Sequence, residues 1–334
     1  MSDDKRPAGF QRVCIFGAGA IGGWMGVHLA RAGCDVSVVA RGQTLASIEQ
    51  HGLRLNEGGE SIAVPVRASA DPSTLGPQDL LVIAVKAPVL PNIMRSVAPL
   101  LGSDTTVLIA MNGVPWWFLH GLEGPLNGQP LRTVDPDGEL AKCMPIERVI
   151  GCVVHASCSI QEPGLLRHHF GRQLIIGEPA GGASTRVRKL ADLLNRASFE
   201  TVVSERIQKD IWYKLWGNMT MNPVSALTGA TADLILDDEL VRGFMSQVML
   251  EARDIGARIG IPIAQEPEDR HQMTRKLGAI KTSMLQDAES GKRVELDALV
   301  SAVRELGGLV GVRTPFTDAL LGLARLHSRV RGLY

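Results

Sequence analysis

The chain has 334 residues, with 35 Lys and Arg against 35 Asp and Glu and a formal net charge of zero. That balance excludes the basic face a nucleic-acid partner needs, and the length allows two domains with cores of their own. No apolar run reaches the roughly 18 residues of a membrane span, and the polar start Met1-Ser2-Asp3-Asp4-Lys5-Arg6 lacks the apolar heart of a secretion signal. Cys14, Cys34, Cys143, Cys152 and Cys158 have no metal-type C-x-x-C spacing; Cys14 and Cys34 read as small buried hydrophobes, and a reducing cytoplasm fits. The first ten or so residues are expected to fray.

In chain order, Val13–Phe16 is a short apolar run of the buried parallel-strand kind. Gly17-Ala18-Gly19-Ala20-Ile21-Gly22 follows at once, then a helical pattern to Arg31, a stop at Gly33 and a second apolar run, Val36–Ala40. Strand, glycine turn, helix and strand in about thirty residues is the context that makes G-x-G-x-x-G a dinucleotide-binding fingerprint. Gly17 permits the tight turn, Gly19 lets backbone approach a pyrophosphate, and Gly22 lets the helix pack close to the strand. A glycine turn with no ligand is the plainer alternative. An acid about twenty residues past the glycines would bind the ribose 2′-hydroxyl of NAD. Here Arg41 stands at the strand end and no acid follows until Glu49, so NADP(H) is favoured, unless Arg41 is merely a solvated strand-end residue.

A helix over Thr44–Gln50 and a hairpin-like stretch lead to a buried strand, Leu80–Val85, ending on Lys86-Ala87-Pro88. After a helix to Leu101, Thr105–Met111 forms another strand and closes on Asn112-Gly113-Val114-Pro115. Lys86 and Asn112 thus lie at strand carboxyl ends, where doubly wound sheets bind ligands. Gly121–Arg148 is rich in loop residues. Val149–Ala156, Gly164–His169 and Gln173–Ile176 read as antiparallel additions to the sheet, followed by a helix (Ser184–Ala197) and a strand (Glu200–Val203). Beyond about Glu205 the patterns are helical: Asp210–Leu227, Asp238–Ile259, Pro267–Gln286, Glu295–Gly307 and Pro315–Val330. The expected fold is α/β, a Rossmann-type doubly wound sheet domain over 1–205 and an all-helical domain over 206–334.

In the first of these helices Lys214, Asn218 and Asn222 follow at i+4 spacing on one face, and Pro223 should end or kink the helix. The helix is apolar nearly all round, so this polar face needs partners. A partly desolvated Lys becomes a usable proton donor, and the amides can hold a carboxylate or hydroxyl. A Lys reaching for the surface beside helix-end Asn caps is the alternative. His155, His168 and His169 lack metal spacing and read as structural or exposed. Trp116-Trp117 suits either core or an apolar pocket wall.

FGAGAIG, VKAP at 85–88, MNG at 111–113, IWYKLWGN-MTMNP and KTSMLQDAESGKRVELDAL at 281–299 together resemble the ketopantoate reductase (2-dehydropantoate 2-reductase) family, over about residues 12–325. The resemblance implies NADPH-dependent reduction of a 2-keto acid in the cytoplasm, with ketopantoate as lead substrate and a homodimer as one assembly. It implies that Lys214 is the general acid and that Glu295 contacts the nicotinamide ribose and orders the Lys. Asn218 and Asn222 would bind substrate, Ser283 its carboxylate, and Asn112 both substrate and cofactor. Lys86 and the backbone near Ser157 would touch the cofactor. Read alone, Glu295 is an ordinary first-turn acid and Ser283 a mid-helix serine. The chain departs from the family pattern at Val300, where an Asn-Gly pair often follows Glu-x-Asp. With Trp116-Trp117, Val300 implies tolerance of apolar-tailed 2-keto acids. Another 2-keto or 2-hydroxy acid substrate, or a non-catalytic NADP(H) sensor, are the competing readings.

Overall fold

The computed structural model describes residues 9–334, so the expectation of a frayed start falls mostly outside the described residues. Two compact units divide the chain: residues up to Met111 with Glu139–Ile207, and Asn112–Gly138 with Gln208–Tyr334.

The first unit grows from β1 (Arg12–Phe16), whose Val13, Cys14 and Ile15 are fully buried. Then come α1 (Ala20–Arg31), β2 (Asp35–Val39), α2 (Gly42–His51), the hairpin β3 (Leu53–Glu57) and β4 (Glu60–Val64), and β5 (Arg67–Ser69). β6 (Gln78–Ile83), α3 (Leu90–Val97), β7 (Leu101–Ile109), α4 (Glu139–Cys143), β8 (Val149–Glu162), β9 (Leu165–Gly177), α5 (Thr185–Arg196) and β10 (Glu200–Val203) complete it. The sheet order is β4-β3-β9-β8-β7-β6-β1-β2-β5, with β10 on β9. From β5 through β2, β1, β6 and β7 to β8 the pairs are all parallel. Strands buried on both faces need continuous apolar runs, and Leu80–Ile83 of β6 and Val107–Ile109 of β7 supply them at 0–3% exposure. From β1 the chain winds to β2 on one side and later to β6 on the other. That makes the carboxyl ends of β1 and β6 the switch point where a crevice opens.

Two sequence expectations change here. β8 continues the parallel run, Val107 pairing with Val149, and is antiparallel to β9 alone. β9 is one long strand, its bulges against β8 accommodating Gly171, rather than two short ones. His168 is structural, as one of the two readings held: its Nδ1 lies 2.9 Å from the buried Glu57 carboxylate. His28 and Arg172 approach the same carboxylate at 3.0 and 2.9 Å. Trp24 of α1 stacks on the His168 ring at 5.4 Å.

The second unit is built around α6 (Ile207–Thr228). Its Trp212, Trp216 and Met219 are 0–1% exposed, and Trp216 Nε1 donates to the Met249 carbonyl at 2.7 Å. Around it stand α7 (Ala232–Asp237), α8 (Glu239–Arg258), α9 (Pro267–Arg275), α10 (Ser283–Glu289), α11 (Ala302–Val310) and α12 (Pro315–Val330). The buried Glu251 of α8 caps α12, accepting from the Phe316 and Thr317 amides at 2.8 Å.

Two further expectations change and one narrows. The segment 112–138, placed with the sheet domain by sequence order, belongs to the helical unit because its apolar residues pack there. Phe118 lies 5.8 Å from the Trp212 ring, Gln208 Nε2 donates to the His120 carbonyl at 2.6 Å, and Glu305 accepts from the Arg132 and Thr133 amides. Of the two outcomes expected at Pro223, ending the helix is ruled out: α6 runs on to Thr228, as the pattern to Leu227 implied, with Val224 and Ser225 buried. The single expected helix over 267–286 is two, α9 and α10. Gly278 at φ +69° breaks it, and Thr282 starts the next by accepting from the Leu285 amide.

Candidate active site

In the first unit the glycine turn leaves β1. Gly17 has φ +104°, and a methyl there would press on Val85 and the Ala84 carbonyl. A methyl on Gly22 would collide with the Gly17 carbonyl oxygen, so the close approach of helix to turn depends on that glycine. At Gly19 a methyl would meet nothing within 4 Å. The turn is therefore open at its middle glycine and closed at the other two. Gly19 is the N-cap of α1, with no side-chain cap and no acid in the first turn. The leading amides of α1, around Ala20 and Ile21, face an open space carrying partial positive charge, which fits a pyrophosphate.

Arg41 is exposed and is the N-cap of α2, just past the carboxyl end of β2. Lys86 is half-buried past the end of β6, capping a short turn at Ala87–Val89. Because β1, β2 and β6 are parallel, Gly17–Gly22, Arg41 and Lys86 share one edge of the sheet. Ser157 sits on β8 well beyond Gly151, its last β7-paired residue, and so on the carboxyl side as well. The unit thus holds a glycine cradle with two cations at its edge, a fit for a phosphorylated dinucleotide.

In the second unit Lys214 Nζ donates to Asn112 Oδ1 at 2.8 Å. Lys214 and Asn218 are half-buried, and Asn222 is 6% exposed. Asn218 and Asn222 form no hydrogen bond among the described residues. Both amides are therefore available to a ligand. Asn112 is held by its neighbours: the Val114 amide donates to the Ala298 carbonyl at 2.8 Å, and Gly113, at φ +86°, lies against Ala298 so closely that a methyl would come within 2.7 Å. Ala298 belongs to a π-type turn, Asp297–Ser301, that leads into α11. Such turns gather at functional sites. Glu295, 5% exposed, stands just before it.

Ser283 is the first residue of α10 and is exposed, not mid-helix as the sequence suggested. It bonds to none of the other candidates among the described residues. Val300 is wholly buried, and Trp116 and Trp117 are 6% and 5% exposed. These three are core. Asp297, the Asp of the Glu-x-Asp motif, and Tyr334, absent from the sequence reading, also belong to this region: Tyr334 Oη donates to Asp297 Oδ1 at 2.7 Å. No local pattern flags a contact between residues so far apart in the chain.

Residues 13–181 match the family Ketopantoate reductase PanE/ApbA, and residues 206–328 match Ketopantoate reductase PanE/ApbA C terminal. The chain is 46% identical to a 2-dehydropantoate 2-reductase of Mesorhizobium japonicum, over 97% of this chain and 99% of the relative. It is 26% identical to the enzyme of the same name from Pyrococcus horikoshii, over 96% and 99%. Among solved structures, that of a presumed ketopantoate reductase from Ralstonia solanacearum is 55% identical, with a TM-score of 0.94 over 97% of this chain and 100% of that one. A D-mandelate dehydrogenase, 20% identical over 96% of this chain and all of its own, shares the fold at a TM-score of 0.82. With both family regions matched and a 46% identical relative along nearly its whole length, this chain belongs to the ketopantoate reductase family of oxidoreductases.

Proposed function

We propose that the protein reduces 2-dehydropantoate (ketopantoate) to pantoate with NADPH, in the cytoplasm, and that Lys214 is the proton donor. The observation that carries this reading is Lys214 Nζ held at 2.8 Å by Asn112, on a helix face shared with Asn218 and Asn222. NADPH, when bound, supplies the hydride that adds to the keto carbon.

The chain's own residues do the rest. Gly17, Ala18, Gly19, Ala20, Ile21 and Gly22 would cradle the pyrophosphate, and Arg41 would pair with the 2′-phosphate through charge-assisted bonds. Lys86 and Ser157 would complete the hold. As the carbonyl becomes an alkoxide, the Lys214 ammonium stabilises the growing negative charge and gives up one proton to it, so the product is a neutral hydroxyl. Asn112 points the ammonium. Asn218, Asn222 and Ser283 would supply donors for the carboxylate and the tail hydroxyl, and Glu295 would order the Lys. A sensor that only bound NADP(H) would have no use for this polar set.

A homodimer belongs to the same proposal. On α12, Phe316, Leu323, Leu326 and Val330 are 40–80% exposed at spacings of a coiled-coil seam, with the small Ala319 among them. In an antiparallel pair of copies centred on Leu323, Ala319 would oppose Leu326, small against large.

The deciding experiment is NADPH oxidation with a panel of 2-keto acids. Turnover of ketopantoate supports the named reaction. Turnover of others alone leaves a related 2-keto acid reductase, and no turnover with intact NADPH binding leaves the sensor.

A further inference from the structure

We propose that Tyr334, acting through Asp297, is a positioning residue for the Lys214–Asn112 pair; this rests on the catalytic reading of Lys214 given above. The segment Leu333–Tyr334 fastens the backbone on both sides of Glu295. Before it, the Val294 amide donates to the Leu333 carbonyl at 2.9 Å. After it, Tyr334 Oη donates to Asp297 Oδ1 at 2.7 Å, and Ser301 Oγ donates to the same oxygen at 3.0 Å.

The fastening is itself anchored. Leu333 is 3% exposed, its amide donates to the Ser328 carbonyl of α12 at 2.8 Å, and the Arg329 guanidinium lies 5.4 Å over the Tyr334 ring. Burial and the Asp297 carboxylate push the Tyr334 phenol up to about 12, so the hydroxyl keeps its proton throughout the working pH range.

From Asp297 the contacts run on without a gap. Asp297 opens the π-type turn, and the next residue, Ala298, accepts from the Val114 amide at 2.8 Å and abuts Gly113. Asn112 follows directly and holds Lys214 at 2.8 Å. Every link lies in the helical unit. Tyr334 touches none of the reacting residues itself. It sets the turn against which the Asn112 loop is seated, and so fixes where the ammonium points.

The test is Tyr334→Phe in the full chain, which deletes the hydroxyl and keeps the ring beneath Arg329. Misplacing a catalytic group by about 1 Å costs on the order of 100-fold, and loss of one bond in this chain of contacts should lower kcat by about 10-fold. The KM for NADPH should change far less than kcat, because the glycine cradle and Arg41 lie in the other unit and keep their places. The alkaline limb of the kcat–pH profile, which reports Lys214, should move. Hydrogen exchange at the Val114 and Leu299 amides should quicken in the same variant, with or without substrate. Asp297→Asn, which keeps an oxygen for both hydroxyls, should retain more activity than Tyr334→Phe. Unchanged kcat and pH profile with unchanged exchange would overturn the proposal, as would a fall in kcat accounted for by loss of folded protein. Should Tyr334→Phe fail to fold, Ser301→Ala, which cuts the other bond to Asp297, is read by the same exchange and kcat measurements. Because exchange needs no turnover, a wild-type protein inactive on every 2-keto acid would refute the catalytic reading and leave the clamp to be judged by exchange alone.

Discussion

Asn112→Ala is the sharpest probe of the proposed chemistry, because it removes the 2.8 Å hydrogen bond from the Lys214 ammonium to Asn112 Oδ1. At 2.8 Å the bond has the length of a charge-assisted contact. Bonds to charged groups contribute about 1.5–3 kcal/mol, and each 1.4 kcal/mol is a factor of ten. If that interaction is felt fully in the transition state, kcat falls by about 10- to 150-fold. Lys214 has other polar contacts and is not orphaned by the change, so the lower half of the range is expected. Lys214→Ala should cost more, about 10² to 10⁴, the usual worth of a general acid. Since Asn112 acts partly through Lys214, the double variant should lose less than the product of the two single losses.

Asn112→Asp supplies the sign. A carboxylate at the same distance favours the charged ammonium, so the pKa of Lys214 rises and the alkaline limb of the kcat profile moves to higher pH. Steady-state NADPH oxidation with ketopantoate, from neutral to strongly alkaline pH, measures all of these. Asn112→Ala with kcat within about twofold of wild type, and losses that simply multiply in the double variant, would show that the contact is packing and not part of the reaction.

Arg41→Ala should weaken NADPH by about ten- to a hundredfold and barely touch NADH, by loss of a charge-assisted phosphate contact; equal wild-type affinity for the two, measured by calorimetry, would refute the 2′-phosphate role. Gly19→Ala should weaken NADPH while costing the fold no more than about 1 kcal/mol, since the new methyl meets no protein atom. Gly22→Ala, which drives a methyl into the Gly17 carbonyl, should lower both affinity and thermal stability, by about 1–3 kcal/mol in the latter. Burial lowers the pKa of His28 and of His271 from the ordinary 6.5. The unfolded chain therefore binds more protons just below that value, and stability should be full above about pH 6.5 and fall as pH drops through it. A thermal midpoint flat between pH 7 and 5.5, or unaltered in its pH dependence by His271→Gln, would sink that assignment.

Much of this was written in local pattern. The strand–glycine–helix–strand run and the apolar runs of β6 and β7 announce a parallel sheet because burial on both faces leaves no room for polar alternation. Lys214, Asn218 and Asn222 were legible because helical spacing alone puts them on one face. What escaped is long-range. Nothing near residues 112–138 says that Trp116–Leu119 will bury themselves beside α6 and not against the sheet that precedes them. The parallel sense of β8 depends on the path of that same excursion. Ser283 was misplaced because the apolar period runs through Gly278, whereas the backbone breaks there and restarts on Thr282. The Tyr334–Asp297 bond joins residues with no shared motif, and only packing of α12 brings them together.

The same packing argues against the sequence-based expectation about substrate tolerance. That expectation rested on Val300 and Trp116-Trp117 forming an apolar pocket wall. Val300 is 0% exposed, and the two tryptophans are 6% and 5%, so these side chains are packed mainly into the core. The groups with unused capacity are polar: the buried Asn222 amide, the half-buried Asn218 amide and the exposed Ser283 hydroxyl. A site that discriminates by apolar contact separates substrates by only about 10–200-fold per methylene, whereas one that must satisfy buried polar groups rejects an analogue lacking the partner by about 10⁴–10⁵. 2-Ketoisovalerate, which lacks the hydroxymethyl group of ketopantoate, separates the two cases. The kcat/KM ratio of ketopantoate to 2-ketoisovalerate should exceed about 10³, between the apolar limit and the full polar one. Asn222→Ala should bring it down, chiefly by slowing ketopantoate. A wild-type ratio below about 200 would mean that apolar contact sets the choice after all, and that the unpaired amide of Asn222 does not recognise the tail hydroxyl.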